Sequence, residues 1–158
     1  MPATAKTPPS VGEIIVFNRL LDAPRTAAFK AWTDPRQLAQ WWGPKGFTNP
    51  VCEVDPRPGG AIRIVMRGPD GTDYPMGGTF IEIAPPEKIV FSATVDIRGV
   101  RVLETHNTVT LTEQGGKTVM DVRVRVVQAT AQATPMLAGM HEGWSQSLER
   151  LGAFVGQR

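Results

Sequence analysis

Few residues in this chain are of the types that do chemistry at neutral pH. Its two histidines are His106 and His141, and its one cysteine is Cys52. Histidine titrates near neutrality and serves as a general acid or base when placed beside a reacting group. Glu104 stands two residues before His106, so both share one side of a strand with Thr108 and Thr110. That parity is opposite to Leu103, Val109 and Leu111, so Glu104 and His106 face solvent unless a bulge between 106 and 109 exchanges the faces. His141 and Glu142 border an apolar helical stripe, where His141 is open to three roles: acid/base, polar anchor or plain structure. If there is acid/base chemistry, His141 is its first candidate and Glu104 its second. A lone Cys52, alternating with Val51 and Glu53, reads as a buried thiol and excludes an internal disulfide. One cysteine and two histidines are too few for a Cys/His zinc cage, so no metal and no cofactor are expected. The chain has no GxSxG, no P-loop, no GxGxxG before a helix and no HExxH.

Soft apolar residues are more informative. Trp41 and Trp42 are adjacent, so on a helix they cannot face the same way; one is expected to pack inward and the other towards a cavity mouth or the 43–48 loop. Met66 and Met120 fall on inward strand positions, and Met140 on the apolar stripe of a helix. Methionine adapts its shape and lines promiscuous apolar surfaces as well as filling cores. Phe91 and Trp144 converge on the same sheet–helix interface. Arg63, Arg67, Arg123 and Arg125 read as a solvated outer face. Arg98 and Arg101 flank Gly99 in a connection where they could attract an anionic head group.

The elements that must position these residues follow from hydrophobic period. Residues 13–21 are β-branched and aromatic-rich, a strand stopped at Asp22-Ala23-Pro24. Asp22 is expected to cap a helix over 24–33, and Asp34-Pro35 opens a short second helix broken at Gly43-Pro44-Lys45-Gly46. From 51 to 127 the period is 2, with turns at 68–71, 85–86 and 114–116 and a bulge expected at Gly77-Gly78. Met120, Val122, Val124 and Val126 alternate with Asp121, Arg123 and Arg125, one face to a core and one to water. The period then returns to 3.6. Leu137, Met140, Trp144, Leu148, Leu151 and Val155 are spaced 3, 4, 4, 3 and 4 apart, one side of a long helix after Pro135. Strands followed by one long helix argue an α+β fold: an antiparallel sheet gripping the C-terminal helix.

Composition is compatible with that. The chain has 158 residues, 41% hydrophobic and 20% charged, which suits one globular domain over 11–158 after a flexible tail at 1–10. Its 17 basic and 15 acidic residues nearly cancel without a basic run, so nucleic acid is not an expected partner. No stretch approaches the roughly 18 apolar residues of a membrane span, and no signal peptide is visible, so a cytoplasmic location is expected.

In this order and spacing, several short motifs resemble a known superfamily. They are Asp22-Ala23-Pro24, Ala31-Trp32-Thr33-Asp34-Pro35, Trp41-Trp42-Gly43-Pro44, Pro58-Gly59-Gly60, Arg67-Gly68-Pro69-Asp70-Gly71, Gly78-Thr79-Phe80 with Pro85-Pro86-Glu87, and Gly143-Trp144 with Leu148-Glu149-Arg150-Leu151. Together they resemble the START-related helix-grip (SRPBCC) superfamily, within it the bacterial branch similar to the activator of the heat-shock protein 90 ATPase. The resemblance implies a Bet v-like or START-like fold: a curved antiparallel sheet of six to seven strands around a long C-terminal helix, with two short helices after the first strand. It also implies a cavity between sheet and helix that takes an apolar or amphipathic molecule. The residues expected to line it are Trp41, Trp42, Phe47, Met66, Met76, Phe91, Met120, Met140, His141 and Trp144, with Tyr74 as a further polar contact. The alternatives are a cavity enzyme of the cyclase, dehydratase or hydrolase type using His141 or Glu104, and a chaperone co-regulator. Monomer and homodimer are both open.

Overall fold

The computed structural model describes residues 8–156; residues 1–7 of the expected tail lie outside them. The chain runs β1 (Ile14–Leu21), α1 (Arg25–Thr33), α2 (Pro35–Trp41), β2 (Thr48–Val54), β3 (Ala61–Arg67), β4 (Asp73–Ala84), β5 (Lys88–Ile97), β6 (Val100–Gln114), β7 (Lys117–Ala129), a short 3-10 turn (Ala131–Ala133) and α3 (Thr134–Gly156). The seven strands form one antiparallel sheet in the order β1-β7-β6-β5-β4-β3-β2. This is the helix-grip arrangement, with both short helices where the resemblance placed them.

Local chemistry explains most boundaries. Asp34 accepts from the Arg36 N–H at 2.9 Å and Pro35 opens α2, as a cap followed by proline should. Asp22 does not cap α1; Pro24 takes that position, and its carbonyl receives the Ala27 and Ala28 N–H groups. The hairpin between β5 and β6 turns on Arg98 and Gly99, at φ 52° and 79°; that between β6 and β7 turns on Gly115 and Gly116, at 59° and 80°. Two consecutive positive φ values mark the turn whose twist matches paired strands.

The bulge in β4 is not at Gly77-Gly78. Pairing with β3 is continuous through both glycines, and the register with β5 shifts between Phe80 and Glu82. Gly78 has another reason to be glycine. A Cβ there would lie 1.9 Å from the Ser92 carbonyl oxygen, far closer than a non-bonded carbon can sit.

One apolar cluster joins the inner sheet face to the helices. Phe17, Ile64, Phe91, Met120 and Val122 contribute from strands, Trp32, Trp41 and Leu38 from α1 and α2, and Leu148, Leu151 and Val155 from α3. The buried residues of α3 (Ser147, Leu148, Leu151, Val155) all fall in its second half. That half rests on β1 and on the two short helices. The first half packs Met136, Leu137 and Met140 on a second, smaller cluster of Val102, Leu103, Val126 and Ala133, and a space remains between it and the ends of β3 to β6.

Candidate functional site

That space is a cavity of about 520 Å³. Its sheet wall comes from the end of β3 (Met66), the start of β4 (Asp73–Met76), the second half of β5 (Ala93–Ile97) and Leu103 and Thr105 of β6. Its helix wall is Met136, Met140, Gly143, Trp144 and Ser147, and the third side is Trp42-Gly43-Pro44. A smaller space of about 20 Å³, lined by Trp32, Ile64 and Phe91 among others, shares Met76 and Trp42 with it.

The Trp42 wall is built by chain geometry. Helix α2 ends at Trp41, and Trp42 is already extended (φ −62°, ψ 135°). Gly43 follows at φ +96°, and a Cβ on it would stand 3.1 Å from the Met66 sulfur. Glycine therefore lets the loop turn and lets Met66 close against it. Trp41 swings inward, fully buried, and its Nε1 donates to the Ala31 carbonyl at 2.9 Å. Trp42 keeps its ring 5.8 Å from that of Trp41 but also reaches the cavity, where it meets Trp144 edge to face, ring centres 5.6 Å apart.

Arg150 holds this loop in place. From α3, its Nη1 donates to the carbonyls of Trp42, Gly43 and Pro44 at 3.2, 2.9 and 2.9 Å, and its Nη2 to Gln40 at 3.2 Å. Asn49 of β2 adds bonds from its Nδ2 to the Ala39 and Trp42 carbonyls at 3.0 and 2.8 Å. The Ala39, Gln40 and Trp42 carbonyls end α2 and have no intrahelical partner, and those of Gly43 and Pro44 belong to the loop beyond it. Burial pulls the Arg150 guanidinium below its ordinary pKa, though not out of its charged range at neutral pH.

Of the ten residues expected to line a site, the structure brings Trp42, Met66, Met76, Met140 and Trp144 to the large cavity. The rest lie elsewhere. Trp41 and Met120 are fully buried in the core. Phe91 is core too, and reaches only the small space. Phe47 packs outside the loop against Tyr74, ring centres 5.8 Å apart. His141 is turned around α3 towards β1, its ring 5.1 Å from that of Phe17. Tyr74 does line the cavity.

Glu104 and His106 stay on the outer face, because no register shift falls between 106 and 109. Shifts occur instead opposite Val95/Asp96 and between Glu104 and Thr105. The first makes Val102 and Leu103 consecutive buried residues. Outside, Glu104 receives Arg101 and meets His106 Nε2, each at 2.9 Å. Arg101 also pairs with Asp96, so its charge is engaged, and neither Arg98 nor Arg101 lines the cavity.

The cavity is mostly thioether, indole and aliphatic surface. Among the described residues no Lys, Arg or His lines it. Its ionisable groups are Tyr74 and two carboxylates, Asp73 and Asp96, each paired outward to an arginine, Arg67 and Arg101. The Arg67 bonds, at 2.7 and 3.1 Å, hold Asp73 below the usual carboxylate range. Sequence reasoning missed Thr105, Ser147 and Arg150. Thr105 carried a readable signal, a polar residue at the inward parity of Leu103 and Val109; Arg150 carried none, since its partners lie over 100 residues away.

Cys52 is half-buried against the core, and burial raises its thiol to about 11. Among the described residues no group of three His, Cys, Asp or Glu could hold a metal ion. No described helix is long and apolar enough to cross a membrane.

No curated protein matches the chain. Solved structures do. A solution structure of a protein from Arthrobacter aurescens superposes with a TM-score of 0.79 at 27% identity, over 96% of this chain and 94% of that one. A crystal structure of a protein from Chromobacterium violaceum gives 0.76 at 29% identity, over 90% and 96%. One from Nitrosomonas europaea gives 0.78 at 24% identity, over 91% and 94%, a likeness of fold alone. The family profile described as activator of Hsp90 ATPase homolog 1-like protein matches residues 22–156. With the helix-grip fold and that match across most of its length, the chain belongs to the activator of Hsp90 ATPase homolog 1-like family.

Proposed function

We propose that the protein binds a small apolar or amphipathic molecule between the sheet and α3, without chemistry of its own. The observation that carries this reading is the cavity of about 520 Å³ walled by Met66, Met76, Met140, Trp42 and Trp144. Its size suits a small molecule, and its lining is apolar with a few polar groups, the usual character of such sites. Flexible thioethers beside rigid indoles suit a shape-tolerant apolar site.

The test is native mass spectrometry of gently purified protein against its denatured mass. An excess mass lost on denaturation supports the reading and begins to identify the molecule. Protein that is bare as purified, and stays bare after incubation with medium-chain alcohols and acids, overturns it.

An acid/base enzyme lacks support from either candidate, because His141 lies against Phe17 and Glu104 on the outer face. The chaperone co-regulator reading is favoured by the family's description. Its test is the ATPase rate of the bacterial chaperone with saturating protein, and an unchanged rate ends it.

A further inference from the structure

The inner wall of the cavity holds a polar group that the fold leaves unused. Thr105 sits at an inward position of β6, is only 4% exposed and lines the cavity. Every other described side chain of its kind at that depth is bonded: Ser92 to Thr79, Thr118 to the Ala23 carbonyl and Ser147 to the Gly143 carbonyl. The Thr105 hydroxyl has no partner among the described residues. A hydroxyl beside a cavity with no partner in the protein is open to a molecule that enters it.

Two residues further along the same strand face, Asn107 repeats the pattern. It is wholly buried, and its Nδ2 donates to the Phe91 carbonyl at 3.3 Å, which fixes the orientation of the amide. Its Oδ1 then has no partner. The inner face of β6 therefore presents a hydroxyl, and behind it a bare carbonyl, whereas the inward hydroxyl of β7, Thr118, is bonded to the Ala23 carbonyl. From α3, the Ser147 hydroxyl also lines the cavity; its proton is given to Gly143, so its oxygen is free to accept.

The charges point the same way. The carboxylates on the cavity wall, Asp73 and Asp96, are already neutralised by Arg67 and Arg101, and no cationic side chain lines the space. A ligand carboxylate or phosphate would lose its water here and gain no counter-charge. An ammonium group would find both acids occupied. A hydroxyl both donates and accepts, and meets what Thr105 and Ser147 offer.

Resting on the ligand-binding reading above, we infer that the cavity selects an uncharged molecule with a hydroxyl at its inner end, held by Thr105 and Ser147. The hydrocarbon body then lies along Met66, Met76, Met140 and Trp144. Selection comes from neutral hydrogen bonding at the inner end, with no ion pair.

The test uses three probes of equal chain length, decanol, decanoate and decylamine, titrated at neutral pH against the intrinsic fluorescence of Trp42 and Trp144. Decanol is expected to bind about threefold to tenfold more tightly than either charged probe, the worth of one or two net hydrogen bonds. Thr105→Val keeps the shape and is expected to weaken decanol binding about threefold to tenfold, the loss of one net hydrogen bond, while hydrocarbon binding persists. Thr105→Ser, which keeps the hydroxyl, is expected to bind decanol as the parent protein does and controls for misfolding of the valine variant. If decanoate or decylamine binds as tightly as decanol, or if Thr105→Val binds decanol as tightly as the parent protein, the inference is wrong and the binding function stands. If none of the three binds, the binding function itself fails and the inference with it.

Discussion

Arg150 Nη1 lies 2.9 Å from the carbonyl oxygen of Gly43, and that contact ties the long C-terminal helix to the loop that carries Trp42. The same guanidinium reaches Trp42, Pro44 and Gln40. One side chain thus satisfies the end of α2 and fixes one wall of the cavity. Arg150→Lys should cost about 1.5–3 kcal/mol, because an ammonium point charge cannot span four carbonyls. Urea unfolding followed by far-ultraviolet circular dichroism measures it. An unchanged midpoint would remove Arg150 from the account of how the wall is held.

Ala93 lines the cavity from β5, where added volume enters empty space. Ala93→Trp should change stability by less than about 1 kcal/mol, below the usual cost of overpacking a filled core. It should also abolish uptake of any co-purifying molecule, read as loss of the excess native mass. Retained uptake in a folded variant would place the ligand outside this space.

The methionines divide into two classes that a single experiment separates. Met120 is fully buried between β1 and β6, whereas Met140 borders the cavity. Met120→Ala should cost about 2–5 kcal/mol, the usual range for emptying a packed core site. Met140→Ala should cost less than half of that, since it enlarges a space that already exists. Equal losses by urea unfolding would mean that α3 is packed as tightly at Met140 as the sheet is at Met120.

Cys52 makes stability depend on pH at the alkaline end. Burial disfavours the thiolate and moves the folded-state pKa from 9.0 up to about 11. Above pH 9 the unfolded chain ionises first, so folding stability falls as pH rises from about 9 to about 11. Below pH 9 the group contributes no slope. Cys52→Ala should flatten that part of the curve relative to the parent protein, measured as urea midpoints from pH 8 upwards. A slope identical in both proteins would assign the alkaline loss to other groups. Thiol labelling at pH 8 should be slow in the folded protein and fast in urea.

The sequence by itself determined the order of elements, because order follows from periodicity and turn chemistry, which are local. The 3.6-residue stripe from Leu137 to Val155 marks α3, the alternation from Met120 to Val126 marks β7, and Asp34-Pro35 starts α2 where the structure has it. By residue type it also marked Trp42, Met66, Met76, Met140 and Trp144, which line the cavity, together with Trp41, Phe47, Phe91, Met120 and His141, which do not.

What tertiary structure alone decided is which inward residues meet a core and which meet a space. Met120 and Met140 both read as inward from period alone. They differ because the second half of α3 is buried while its first half, packed only on a small cluster at Val102, Leu103 and Val126, borders an open space. His141 faces Phe17 because of where α3 sits in rotation, an angle set by packing across the sheet. Of the neighbouring Trp41 and Trp42, the bond to the Ala31 carbonyl and the left-handed turn at Gly43 leave only Trp42 on the cavity wall. Arg150 finds its four carbonyls only once residues more than 100 positions apart have been folded together. Such facts come from long-range contact, and a one-dimensional pattern records only the preference of each residue for being inside.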